Sequence, residues 1–360
     1  MENNSSCILD FTNFDLGEFF GIGDDFLSEM MMLIWVIPII IFVFYGQRIQ
    51  LVITGNDIKK NITKLEEFKN NTRQELIDYI QNNLKPKGNP VKKIDTFLDY
   101  FTIMPVDLDP NGIILKINHL IHSRDDFIRT HVKSLFNEIS DFEISKIQSF
   151  LEIVISLQLF HKTTRHLYLT AKKQKNFPLI LPLQMIIPFI MEEATALKES
   201  VESMKNGQPM GDGIGPMVVG QMMLDTSKQE AAFETVWSKT EFEGRGLLLV
   251  KAKGPNSTVG RTGEAIENII PQEKPDLIIM IDAALKLEGE DSASIAKGFG
   301  AAIGGIGTER FKIEEIATKN NIPILSLVVK QTIREAVTLM SENIAKQAKI
   351  DCIEWIYDTY

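Results

Sequence analysis

The chain has 360 residues, 44% of them hydrophobic and 24% charged, a balance that excludes wholesale disorder. Its formal net charge of −10 excludes a general nucleic-acid binder, because phosphate contacts require a basic surface. Cys7 and Cys352 stand at opposite ends of the chain, which excludes a disulfide framework and a Cys-rich zinc site.

Residues 1–29 form an acidic segment that carries Asp10, Asp15, Glu18, Asp24, Asp25 and Glu29 and no Lys or Arg. The uncharged run Met30–Gln47 (MMMLIWVIPIIIFVFYGQ) follows, and its length and composition predict a transmembrane helix that tolerates Pro38. No basic stretch precedes it, so a cleaved signal peptide fits worse. Arg48, Lys59, Lys60 and Lys64 come after the run. The positive-inside rule then predicts a single-pass protein of the cell membrane, N-terminus outside and body in the cytoplasm, with the lipid bilayer as a partner.

Residues 48–88 read as an amphipathic helical stalk. Between Asn56 and Asn83, Ile58, Ile62, Leu65, Phe68, Leu76 and Ile80 recur at helical spacing. The alternating charges suit a solvated or self-associating helix, hence an expected homo-oligomer through the stalk. Lys85–Pro90 (KPKGNP) breaks the pattern.

Residues 89–205 form a helical domain, with helix-period patterns over Phe127–Phe136 and Ile144–Phe160. In Leu159–Asn176 the spacing of His161 and His166 is wrong for two ligands on one helical face, so a basic helix near anionic headgroups fits better than a metal site. A second apolar stretch, Phe177–Met191, contains Pro178, Pro182, Pro188 and Gln184. A core element or a segment against the membrane surface fits it better than a second span, which would put the C-terminal domain outside.

From residue 206 to 360 glycines become frequent and apolar runs alternate with helical patterns. Leu247–Lys251, Asp276–Asp282 and Ile322–Val329 read as buried strands, and Gly263–Ile270, Arg310–Lys319 and Thr332–Ala348 as helices. That alternation predicts an α/β domain on a mostly parallel sheet with helices on both faces, a three-layer αβα arrangement. Ligands gather at the carboxyl ends of such strands, where Asp282 is expected.

Three glycine-rich segments stand out: Met210–Val219 (MGDGIGPMVV), Val259–Glu267 (VGRTGEAIE) and Gly298–Arg310 (GFGAAIGGIGTER). Their glycines, Gly211, Gly213, Gly263, Gly305 and Gly307 among them, allow close backbone approach and present N–H groups to an anion or oxyanion. A dinucleotide reading of Gly298, Gly300 and Gly304 is weak, because that loop does not directly follow a predicted strand.

With Lys274–Ala283 (KPDLIIMIDA) and Ile322–Met340 (IPILSLVVKQTIREAVTLM), these segments resemble the germination protease of spore-forming bacteria, in order and spacing, over residues 208–345. That enzyme shares its fold with the hydrogenase-maturation endopeptidases. The complete layout resembles an archaeal membrane protein family of unknown function (domain of unknown function 1512). The resemblance implies a phosphorylase/hydrolase-like fold in which Asp212 and Asp282, by motif, face each other. In the maturation enzymes two such acids and a histidine hold a metal. This domain has no histidine, so a divalent metal would lack that ligand and no cofactor is expected. An apolar strand that leads into the first loop of the family is replaced here by Ser203–Pro209 (SMKNGQP).

The function so implied is a membrane-anchored, aspartic-type peptidase acting on a protein or peptide substrate. One carboxyl would be protonated while the other acts on a water, and Arg261 or Arg310 would stabilise the oxyanion. The alternative is a non-catalytic, membrane-tethered scaffold or binding module on the same fold.

Overall fold

The computed structural model describes residues 26–100, 112–174, 177–254, 260–304 and 307–359. Among the described residues five helices come first: α1 (Phe26–Leu84), α2 (Val91–Asp99), α3 (Ile113–Lys133), α4 (Asp141–Gln174) and α5 (Phe177–Lys205). A 3-10 turn, Gly211–Gly213, opens into α6 (Ile214–Met222). There follow β1 (Gln229–Ala232), β2 (Thr235–Phe242), β3 (Arg245–Ala252), α7 (Thr262–Glu273), β4 (Ile278–Leu285) and β5 (Ile295–Phe299). The chain closes with α8 (Thr308–Lys319), β6 (Ile324–Gln331), α9 (Ile333–Val337) and α10 (Glu342–Thr359).

The chain divides into two compact units, one of residues 1–60 with 167–185 and one of 61–166 with 186–360. In the first unit, the described part of α1 carries exposed Leu33, Trp35, Phe42, Phe44 and Ile53, and Leu179 and Met185 of α5 are exposed as well. The expected N-terminal transmembrane helix is corrected here: the apolar part of α1, Leu33–Gly46, is shorter than a bilayer crossing needs. Among the described residues, the helical stretch with the length and composition to cross lies mid-chain, at Leu179–Lys205.

In the second unit one apolar core joins the described helices. Leu65, Phe68, Leu76 and Ile80 of α1 pack with Ile94 and Phe97 of α2, Ile128 and Val132 of α3, and Ile144, Phe150, Leu151 and Leu157 of α4. The helical spacing therefore reports burial, and this apolar face of the expected stalk is taken up inside the fold. Arg73 clamps Asp95 of α2 with two hydrogen bonds of 2.6 and 2.7 Å, a bidentate pair that fixes α1 against α2. Met210 belongs to the same core, so helical and glycine-rich segments share buried surface.

The C-terminal part is not a three-layer αβα domain on a mostly parallel sheet. Its described residues hold two separate three-stranded sheets, β1-β2-β3 and β4-β6-β5. The first is antiparallel throughout; in the second, β4 and β6 are parallel and β5 is antiparallel to β6. The reason for the first sheet is turn chemistry. Glu243 and Gly244 both take positive φ, 51° and 76°, the requirement of a tight hairpin that reverses the strand. Cys352 of α10 is buried, and burial with nearby Asp351 pushes its thiol up to about 12, so it behaves as an inert core residue; Cys7 lies outside the described residues.

The helix expected over Thr332–Ala348 is broken in two. Thr332 and Glu335 form a reciprocal capping box that starts α9. The chain then leaves the helix, because Thr338–Met340 pairs with Pro209–Gly211 instead. Gly211 N–H donates to the Thr338 carbonyl (3.0 Å), and Met340 N–H donates to the Pro209 carbonyl (2.9 Å).

Candidate functional site

That pairing holds the Asp212 turn in place. Gly211 is buried against α9: a methyl group there would sit 1.9 Å from the Glu335 carbonyl oxygen. Its own carbonyl accepts a hydrogen bond from Gln331 Nε2 (3.1 Å) at the end of β6. Ile214 N–H turns back to the Gly211 carbonyl, and Pro216 enters the first turn of α6, where a missing N–H is tolerated. Gly215 then meets β4 backbone to backbone, since a Cβ there would lie 2.0 Å from the Ile281 carbonyl oxygen and 3.5 Å from Asp282 Cα. Asp212 is thereby brought beside the strand that carries Asp282.

Asp282 lies opposite Val328 of β6, and β4 continues past it to Leu285, so the acid sits inside the strand and not at its end. Its carboxylate accepts backbone N–H groups of Ala283 and Gly304. The loop that delivers Gly304 is set by Gly300 N–H donating to the Ile324 carbonyl (3.1 Å) and Ser326 Oγ donating to the Gly300 carbonyl (2.5 Å).

Asp212 and Asp282 both line one cleft of about 1000 Å³, walled by α6, β3, α7, β4 and residues 302–304. Burial pushes the Asp282 carboxyl up to about 6, and the negative charge of Asp212 adds to the rise against the two N–H bonds that oppose it. Asp212 reaches solvent at the lip of the cleft, yet the surrounding walls raise its carboxyl above the ordinary aspartate value as well. Both acids are thus held above the ordinary aspartate value, Asp212 by burial and Asp282 by burial together with the charge of Asp212.

The other expected residues divide. Gly213 lines the cleft. Gly263 instead donates its N–H to Glu309 Oε2 (2.6 Å) at the contact of α7 with α8, and Gly307 caps α8 with φ 84°. Gly305 lies outside the described residues. Arg261 faces α3, 3.8 Å from Asp126, and covers the Phe233 ring; Arg310 pairs with Glu314 at 3.2 Å on the surface. Neither arginine lines the cleft, so the expected oxyanion role has no geometric basis. Lys251, the last residue of the apolar run on β3, lines the cleft instead. Burial lowers its pKa, as does nearby Lys228. Sequence reasoning passed over Lys251 because it looked like the solvated end of a strand.

A catalytic zinc site takes three protein ligands; the lining of the cleft carries four acids, Asp212, Glu273, Asp276 and Asp282, and no histidine. Among the described residues no group of three or more His, Cys, Asp or Glu side chains could hold a metal ion.

Residues 32–207 match the family described as "Protein of unknown function (DUF1512) N-terminal domain", and residues 210–358 match "Domain of unknown function (DUF1512) C-terminal". The chain belongs to this family. The two matches meet just before the Asp212 turn, so the helical core and the acid cleft fall to different domains of it. The chain is also distantly similar to the germination protease of Clostridium perfringens (strain 13 / Type A), 29% identical over 154 residues, 42% of this chain and 44% of the relative. The germination protease of Clostridium acetobutylicum is 27% identical over 135 residues, 37% of this chain and 39% of the relative. The chain thus spans less than half the length of the curated relatives it matches.

The Gly215 contact generates a prediction. Gly215→Ala places a methyl group against the Ile281 carbonyl, with backbone on both sides and no flexible side chain to yield. It is expected to lose about 2 kcal/mol or more of stability in denaturant unfolding. Unfolding at the native denaturant concentration would contradict the contact.

Proposed function

We propose that this member of the DUF1512 family is a carboxylate-dependent peptidase whose chemistry lies in the cleft of Asp212 and Asp282. The observation that carries the reading is that the two acids, 70 residues apart in the sequence, share one cleft, where the charge of Asp212 helps to raise the Asp282 carboxyl. The similarity to germination proteases supports the same residues. With one carboxyl protonated, the other takes a proton from a water as that water attacks the carbonyl carbon of a peptide bond, and the protonated partner donates its proton to the carbonyl oxygen. As the C–N bond breaks, the first carboxyl passes the proton it took from water to the leaving amine, and the partner recovers a proton from the tetrahedral hydroxyl. Lys251 lines the same cleft, with its Nζ donating to the Ala252 carbonyl (2.5 Å).

Asp282→Asn and Asp212→Asn are each expected to reduce cleavage of unstructured polypeptide at least about 100-fold, while circular dichroism stays native. The pair works only while it holds one proton. Because the Asp282 carboxyl is raised to about 6, cleavage is expected to decline as pH rises through that value. Full activity in both variants, or a rate that climbs steadily from pH 5 to 8, would overturn the reading.

The site at a membrane is a separate proposal, supported by the first unit alone. Trp35 at 65%, Phe42 at 75% and Phe44 at 74% exposure form with their neighbours an apolar surface that folded chains rarely leave in water. We expect it to enter a bilayer. The full chain should sediment with anionic lipid vesicles and stay bound in high salt, whereas Phe42→Asp with Phe44→Asp should free it. Native protein that remains in the supernatant would contradict this.

A further inference from the structure

We propose that the cleft is a slot for one extended, apolar polypeptide segment, which enters as a missing strand between β3 and β4. Among the described residues each of these strands has a partner strand on one side only, β3 on β2 and β4 on β6. Each therefore presents a bare edge, a row of main-chain donors and acceptors that recurs at every second residue. These two edges face the same cavity. Its lining takes in Arg245 to Gly254 consecutively from one sheet and Asp276 to Asp282 consecutively from the other. A strand that turned its face to a cavity would contribute alternate residues, because side chains alternate across a strand. Unbroken runs from both walls fit strands that offer their edges.

The rest of the cavity suits such an occupant. Helix α6 packs on both β3 and β4, and Met217, Val219, Ile266, Ile269 and Ile270 supply apolar cover from α6 and α7. Strands of eight residues on either side match an inserted segment of about six residues, an ordinary strand length. Among the described residues, the segment that leads into the Asp212 turn does not enter the slot, since Pro209–Gly211 is paired with Thr338–Met340 instead. At one end Gly215 covers the Ile281 carbonyl, so an inserted strand stops beside Asp212 and Asp282. Two facing rows of alternating N–H and C=O groups are matched by main chain, which carries both groups on both of its sides. This inference deepens the peptidase reading, and only its cleavage arm rests on that reading.

The test uses the full chain with Asp282→Asn, so that cleavage does not consume the probe. The probe is an end-capped, fluorescein-labelled heptapeptide of alternating valine and threonine, followed by fluorescence anisotropy. Two further peptides carry N-methyl groups on the odd or on the even residues, which removes the donors from one side or the other. A two-edged slot predicts that the plain peptide binds and that both N-methylated sets bind at least about tenfold more weakly. Absence of binding, or one N-methylated set binding as well as the plain peptide, would overturn the slot; the second result would mean addition to a single open edge. Binding with this two-sided sensitivity but no cleavage by the native chain would sink the peptidase reading and keep the slot. Cleavage of other peptides by a chain that lacks the sensitivity would do the reverse.

Discussion

The site depends on one backbone contact, the approach of Gly215 to the carbonyl of Ile281. Any side chain at Gly215 would hold α6 away from β4. Because it has none, the helix start settles on the strand edge and the preceding turn puts Asp212 beside Asp282. The turn is held from behind by the pairing of Pro209–Gly211 with Thr338–Met340 and by Gln331 on the Gly211 carbonyl. These constraints are main-chain or buried, so they resist the repulsion that two nearby carboxylates generate as they ionise.

The helical core serves the same end from a distance. Arg129 of α3 reaches Glu234 at 3.1 Å and stacks on Phe233, and Arg261 stacks on the same ring. Phe233 lies in the turn between β1 and β2, so this cation–aromatic arrangement docks the antiparallel sheet onto α3. It also explains why Arg261 is absent from the cleft: its guanidinium is engaged in the docking. The wall that β3 gives to the cleft is positioned from the far side of its own sheet.

Much of the secondary structure was legible because periodicity reports burial directly. Ile62, Leu65, Phe68, Leu76 and Ile80 mark a helix and all are buried; the apolar runs around Met280 and Leu327 mark strands that are indeed there. What escaped was context. An apolar helical face looks the same on a free stalk as in a core. Strand β2, TVWSKTEF, is too polar to read as a buried run, and missing it hid the hairpins that make the first sheet antiparallel. The helix expected from Thr332 ran on because the pairing that ends it lies with residues far away in sequence. Within the site, the glycine loop placed Asp212 and Gly213, whereas Lys251 and the contribution of Gly304 to Asp282 depend on neighbours that no local pattern carries.

The most direct measurement of the central claim is the titration of the two side-chain carboxyl carbons, followed by NMR in selectively labelled native chain and in Asp212→Asn. A shared cleft predicts that Asp282 titrates near about 6 and that its midpoint falls once the Asp212 charge is removed. Two carboxyls that titrate independently near the ordinary aspartate value of 3.8, with Asp282 indifferent to the substitution, would contradict the account.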